Sequence, residues 1–332
     1  MHAAVLRYFL AVARAGSIRQ ASEELHVAAS AVSRQIQKLE QELGTPLFER
    51  LPNGLRLTQA GHIVLRHAKD TLHDFSLLQS DLGKLKGKKT GTITLAALDS
   101  LFVRFLPEQI LAFHRANPAV NFRVQSGVQN RIASLVAEGE TDIGITFNLP
   151  HPEDTRFVAD IPMPLMAMVS ARHPLARKSS VTLSECAQYN LMLQVDTEPL
   201  RSLIEVELSS LERSGRTLVT SNNLLLLRPM IEAGVGVAFY TPLGMAEEIR
   251  KGSIVGVPLT SHRLGGLRLG LLIPRHRQLT DAAEAMVEQL GAALARLSES
   301  ICALVEASAP AQASVPGGGD ARTTDSPGVR PG

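Results

Sequence analysis

Between Ala29 and Leu43 the apolar residues Val32, Ile36, Leu39 and Leu43 recur at steps of four, three and four. An α-helix puts residues at those steps on one face, so this segment has to lie with its stripe against a core. The sequence before it supplies one. Leu6, Phe9, Leu10 and Ala13 fall on one face of a first helix, and Ile18–Leu25 forms a short second helix in which Ala21 admits a close neighbour. Ser17 and Gln20 have the spacing of a capping box. His26-Val27 then makes a tight turn into the third helix.

The outward stripe of that third helix is Ser30, Ser33, Arg34, Gln37 and Gln41, all polar and without an acid. An ordinary solvated face can carry the same residues. They also suit a helix lying in the major groove of DNA, with Arg34 forking onto guanine and Gln37 onto adenine. The sequence that follows favours the second reading. Pro52-Asn53-Gly54 is a turn between two short strand-like pieces. The resulting wing bears Arg50 and Arg56, placed to meet phosphates beside the groove. Charge agrees: residues 1–90 hold 13 Lys and Arg against 8 Asp and Glu, net +5 in a chain of net +2. A basic head on a mildly acidic body fits a nucleic-acid-binding module joined to a second function.

Read together, Phe9, Ala15-Gly16-Ser17, Ala21-Ser22, Leu25-His26-Val27, Ser30 through Ile36, Leu39-Glu40, Leu43-Gly44, Leu47 through Arg50 and Leu57 through Gly61 resemble the LysR-type signature at fixed spacing. The resemblance continues more loosely to about Leu297. It implies an α+β multidomain chain: an N-terminal winged helix-turn-helix, a long linker helix, and a C-terminal two-lobed α/β effector domain like the periplasmic binding proteins. The implied activity is transcription regulation, modulated by a small-molecule effector held between the lobes. Two positions depart from the family. Ala28 stands where a Ser is usual and cannot cap the third helix, a loss of roughly 0.5–2 kcal/mol. Ala29 replaces a Gln or other polar residue, so base reading falls to Ser30, Ser33 and Arg34, with Ala29 available to a thymine methyl.

Along the next helical stretch Val64, Ala68, Thr71, Phe75, Leu78, Leu82 and Leu85 are spaced 4, 3, 4, 3, 4 and 3. That is an a/d heptad seam, widened by Leu65 and Leu72. The resemblance implies a homodimer through this helix, or a homotetramer, on the double-stranded DNA of an interrupted palindrome. RNA polymerase is a further candidate partner.

Behind the hinge Gly87-Lys88-Lys89-Thr90-Gly91, apolar strand-like runs alternate with helical patterns. The order β-α-β-α-β over residues 91–147 gives one parallel lobe. A second lobe begins near Met163, and the chain returns to the first with Leu267–Ile273. The division expected is a head over 1–58, a linker over 59–90, an effector domain over 91–300 and a disordered tail over 301–332. Lobe I takes about 91–160 and 266–300, lobe II about 161–265. Ligands of such sheets sit beyond the C-terminal strand ends, near helix N-termini. The candidates there are Ser100, Ser126, Thr146 and Asn148 in lobe I and Thr197 and Asn222 in lobe II. Asp99 and Glu198 lie among them without a pair of basic residues, which makes a small anion a less certain effector.

Other classes find little support. Gly83-Lys84-Leu85-Lys86-Gly87-Lys88-Lys89-Thr90 misses the Walker A spacing and precedes a strand. There is no Gly-x-Ser-x-Gly and no HExxH, and the ten histidines have no zinc spacing; His62, His67 and His73 are expected on the solvated face of the linker helix. No catalytic residue, metal or cofactor is expected. Met1–Ala15 is broken by Arg7 and Arg14 and does not read as an export signal, no apolar run reaches membrane length, and two distant cysteines suggest no disulfide. A cytoplasmic location follows. The rival reading is a cytoplasmic solute-binding module without a DNA-regulatory role.

Overall fold

A computed structural model of the protein describes residues 3–52, 54–193, 204, 206, 216–221 and 223–308. The head opens with α1 (Ala3–Ala15), α2 (Ile18–Glu24) and α3 (Ala29–Leu43). Leu6, Phe9, Val12, Ala21, Val32, Ile36 and Leu39 close one core among the three helices. Leu43, the fourth residue of the α3 stripe, is 42% exposed instead; the helix ends there, at a left-handed Gly44. Ser17 accepts the Gln20 N–H, but the returning bond of the expected capping box is absent among the described residues, because Gln20 stays in solvent. His26 takes a φ of 53°, the left-handed value that turns the chain within two residues.

The wing is an antiparallel hairpin, β1 (Phe48–Leu51) on β2 (Gly54–Leu57). Two contacts seat it. The Glu40 carboxylate of α3 accepts the N–H groups of Leu47 and Phe48 at 2.8 and 3.2 Å. The Gly16 carbonyl accepts the Leu55 N–H at 2.7 Å. Gly54 passes so near, at a φ of 136°, that a Cβ there would stand 2.6 Å from the Gly16 oxygen; a side chain is excluded on both counts.

The linker is α4 (Gln59–Leu85), started by Thr58, whose Oγ1 accepts the Gly61 N–H at 3.0 Å. Its first half belongs to the head: Ala68 is buried there, with Val64, Leu65 and Leu72 packed on the same core. Its second half lies on the sensing domain. The His73 Nε2 is 2.7 Å from the Gln278 carbonyl oxygen, and the Ser80 Oγ accepts the Asp281 N–H at 3.1 Å. Lys84 and Lys89 reach the Asp281 carboxylate at 3.7 and 2.8 Å, and Lys69 reaches Glu140 at 3.1 Å. Two expectations are corrected here. Val64 and Ala68 are occupied by their own head, so the free seam shortens to Phe75, Leu78, Leu82 and Leu85. His73 is buried rather than solvated, since a segment two hundred residues away covers it.

Among the described residues the sensing domain holds two five-stranded sheets. In chain order the strands are β3 (Gly91–Ala97), β4 (Val120–Ser126), β5 (Ile143–Phe147), β6 (Thr155–Pro162), β7 (Met166–Ser170), β8 (Leu191–Leu193), β9 (Thr217–Thr220), β10 (Val237–Tyr240), β11 (Ile254–Pro258) and β12 (Arg268–Pro274). Lobe I has the order β4-β3-β5-β12-β6 and lobe II the order β11-β7-β10-β8-β9. The chain therefore crosses between lobes twice, from β6 to β7 and from β11 to β12. Strands β6 and β11, which carry no clean alternation, are edges that the sequence reading missed. The helices given in full among the described residues are α5 (Phe105–Ala116), α6 (Gln129–Ala137), α7 (Leu183–Cys186), α8 (Leu224–Glu232), α9 (Ala246–Lys251), α10 (His262–Gly265) and α11 (Asp281–Ser308). The expected disorder from residue 301 fails for 301–308: Ile301 is buried against the sensor core, and α11 continues to Ser308. Residues 309–332 lie outside the described residues.

Two outcomes follow. A Cβ at Gly61 would stand 2.2 Å from the Leu47 carbonyl oxygen and 2.9 Å from the Leu57 side chain. Gly61→Ala should cost about 1–3 kcal/mol of head stability, read as a lower melting temperature; an unchanged melt refutes the close approach. Desolvation, with Arg277 nearby, holds the His73 imidazole below its usual range. The unfolded chain then binds that proton more readily, so the contribution of His73 is lost as pH falls from about 6.5 toward the lowered folded value. His73→Gln should flatten the stability profile over that window in denaturant titrations, and an identical slope would count against it.

Candidate DNA interface and effector cleft

The start of α3 has no side-chain cap, as Ala28 dictates. Ser30, Arg34, Gln37 and Gln41 are exposed, and Ser33 is half-buried at the edge of the same face. The Arg34 Nε donates to the Ser30 carbonyl oxygen at 3.3 Å, which lays the guanidinium along the helix. Glu40 is turned away to the wing N–H groups, and Glu42 stands 3.9 Å from Lys38. The face is thus free of carboxylates. The hairpin register alters the picture of the wing. Arg50 pairs with Leu55 and Arg56 with Glu49; alternation sends the two arginines to opposite faces of the ribbon. Arg50 shares the face of Phe48 and Leu57, which packs on the head core, and remains exposed near the tip. Arg56 is held by Glu49 at 2.5 Å, and this hydrogen bond lowers the Glu49 carboxyl below its usual range. The two do not converge on one phosphate.

In lobe I the register sets Ala97 between Ser126 of β4 and Ile145 of β5. Ser126, Thr146 and the Leu98–Ser100 exit thus share one end of the sheet, as the strand order requires. Their environments differ. Ser126 is exposed. Thr146 lies opposite Gly270 and is fully buried, and its Oγ1 has no hydrogen-bond partner. The Gln129 Oε1, at the start of α6, is buried in the same state. The Asn148 Nδ2 donates to Asp160 at 2.7 Å, beside the Asp160–Arg268 pair at 2.7 Å, so it is tied to the edge strand β6 and its neighbour β12. Thr197 and Asn222 lie outside the described residues.

Ser100 is buried because lobe II covers it. It sits in a 3-10 turn, Asp99–Phe102, facing a second such turn, Pro242–Met245; a Cβ on Gly244 would stand 3.2 Å from the Ser100 Cβ. The Asp99 Oδ1 accepts the Ser100 N–H at 2.7 Å. Burial pushes the Asp99 carboxyl up, against that hydrogen bond. The sequence reading noted Asp99 only as a neighbouring charge.

The model for the LysR substrate binding domain matches residues 86–295. That for the bacterial regulatory helix-turn-helix protein, lysR family, matches residues 4–62. The chain belongs to the LysR family. It is a DNA-binding transcription regulator with an effector-binding domain, and the rival solute-binding reading falls with the helix-turn-helix match. Curated relatives include the transcriptional activator CmpR of Synechocystis sp., 25% identical over 85% of this chain and 92% of that one. The regulator CbbR of Sinorhizobium medicae is 29% identical over 75% and 80%. Among solved structures, a full-length OxyR variant from Pseudomonas aeruginosa matches with a TM-score of 0.64 at 21% identity, covering 89% of this chain and 94% of that one. Full-length CbnR complexed with its target DNA matches with a TM-score of 0.57 at 21% identity, covering 88% and 100%. Both structures share the fold.

Other chemistry has few handles. Burial pushes the Cys186 thiol up to about 12, so it is not a ready nucleophile. Among the described residues no helix is long and apolar enough to cross a membrane.

The Glu49–Arg56 pair yields a test. Glu49→Gln should release Arg56 toward a phosphate and steepen the salt dependence of DNA binding by about one unit of slope. An unaltered slope in fluorescence-anisotropy titrations would mean that Arg56 stays off the backbone.

Proposed function

We propose that Ser30, Ser33, Arg34 and Gln37 enter the major groove, that Arg50 and Arg56 meet phosphates on either side of the wing, and that the cleft between the lobes binds a small-molecule effector. The observation that carries the DNA reading is the exposed, acid-free face of α3 beside a hairpin fixed to it by Glu40. Ser100 and Ser126, with Thr146 behind them, supply the lobe I side of the effector cleft; Asn148, tied to Asp160, is the weakest of the candidates. The head takes residues 1–58, the linker 59–90 and the sensor 91–300. The relatives act as regulators, and this chain works as one in the cytoplasm rather than as an enzyme.

The working unit is a homodimer, or a homotetramer built from it, on an interrupted palindrome of double-stranded DNA. Support comes from α4, where Phe75, Leu78, Leu82 and Leu85 stand three, four and three residues apart and are 41–84% exposed. A stripe of that spacing is suited to a second helix. CbnR, which shares the fold, is solved on its target DNA.

Arg34→Ala should cost about 1–3 kcal/mol at the specific site and relax base preference at one position; selection from random DNA that returns the same preference would remove Arg34 from base reading. Leu78→Asp should abolish the dimer by forcing two carboxylates into a dry seam. A dimer of normal strength in sedimentation would put the interface elsewhere.

A further inference from the structure

The last helix carries one unbroken apolar face. Along α11, Met286, Leu290, Leu294, Leu297 and Ile301 recur at steps of four, four, three and four, which puts them on one side of the helix. Met286, Leu290 and Leu294 are fully buried, Leu297 packs on the same core, and Ile301 is 3% exposed. The face is therefore covered along its length, which from Asp281 to Ile301 is roughly 30 Å at about 1.5 Å per residue.

What covers it changes along the way. Asp281 is held by the linker at the end of lobe I where β3 and β5 begin. Gly291 lies over the middle of the lobe I sheet, where a Cβ would stand 4.0 Å from both the Ala159 Cβ and the Leu271 Cδ1. The turns beyond it approach the end of β6, from which the chain crosses to lobe II. Accordingly α11 packs on β3, β6, β12 and α5 of lobe I, and also on α9, β11 and the Pro242–Met245 turn of lobe II. The two chain crossings are a separate tie. There the Met163 N–H donates to the Leu267 carbonyl oxygen at 2.8 Å, and the Leu165 N–H to that of Leu264 at 3.1 Å. Two strands bonded in this way form a ribbon about which the lobes can rock. A helix follows such a motion by bending only where it has a weak point. From residue 281 to 308 there is no proline, and the single glycine, Gly291, lies in the lobe I half.

We propose that the final turns of α11 are a brace between the lobes, anchored by Ile301, which limits how far lobe II rocks about the crossing ribbon. The anchor lies just past residue 300, where the sequence reading ended the sensor. An effector that rotates lobe II has to slide it along α11 or move the helix bodily, and the other end of that helix is the Asp281 joint with the linker. This part in the response rests on reading the cleft as the effector site; the brace itself does not.

Hydrogen exchange on the protein without ligand tests this, read at the Met163 and Leu165 amides of the ribbon and at α9. Ile301→Asp, and separately a chain ended after Leu297, should each speed these amides by about tenfold or more. Ile301→Leu, which keeps the apolar anchor, should hold wild-type rates, and so should a chain ended after Ser308. Amides of β3 and of the head should be unaffected throughout. Wild-type rates at the ribbon and α9 in both disrupting variants overturn the brace. Protection lost equally in β3 overturns it too, since Ile301 is then an ordinary part of one core. Because no ligand is added, failure of the effector reading leaves all these rates as stated.

Discussion

The contact on which the arrangement depends is the start of α11. There the Ser80 hydroxyl, carried by the linker helix, accepts the Asp281 N–H, while Lys84 and Lys89 close on the Asp281 carboxylate. Acid at a helix N-terminus is favourable in itself, and the two lysines add charge from the linker side. One residue thus joins α4, the hinge and the last helix of the sensor. Arg277, four residues before it, is half-buried and donates to the Gly139 carbonyl oxygen at the same end of lobe I.

This docking decides which parts of the molecule move together. At about 1.5 Å per residue, the 27 residues of α4 span roughly 40 Å. One half is buried in the head and the other lies on lobe I, so these two form a continuous body. The contacts fall at the end of lobe I where β3 and β5 begin, through Glu140 and Gln278. The cleft lies at the opposite end, beyond Ala97 and Ser126. Lobe II is joined to this body by two crossings, by the approach of Gly244 to Ser100 and by a hydrophobic core shared between the lobes.

Charge is arranged to the same effect. The reading face of α3 is kept free of acid because Glu40 is engaged by the wing N–H groups. On the wing, Glu49 neutralises Arg56 while Arg50 stays free, and Arg34 on α3 likewise has no carboxylate partner among the described residues. At the cleft Asp99 is a carboxyl raised by desolvation and steadied by the Ser100 N–H. Neither pattern is visible from net charge.

Sequence alone determined the elements of the head and their order. The i, i+4, i+7 stripe fixes α3 as a helix with one buried face, and Pro52-Asn53-Gly54 fixes the hairpin, because both signals lie within a few residues and depend on local geometry. The alternation of apolar runs and helical patterns likewise gave two lobes and two crossings. The tertiary structure decided which faces are covered and by what. A heptad seam does not say whether its partner is another chain or its own head, so Val64 and Ala68 read like Leu78. His73 meets Gln278 across 205 positions and Ser80 meets Asp281 across 201. Ser100 is buried against Gly244, which only the approach of a second lobe presents. Periodicity records that a face must be buried; the identity of its neighbour depends on contacts between segments far apart in the chain, and those exist only once the sheets have packed.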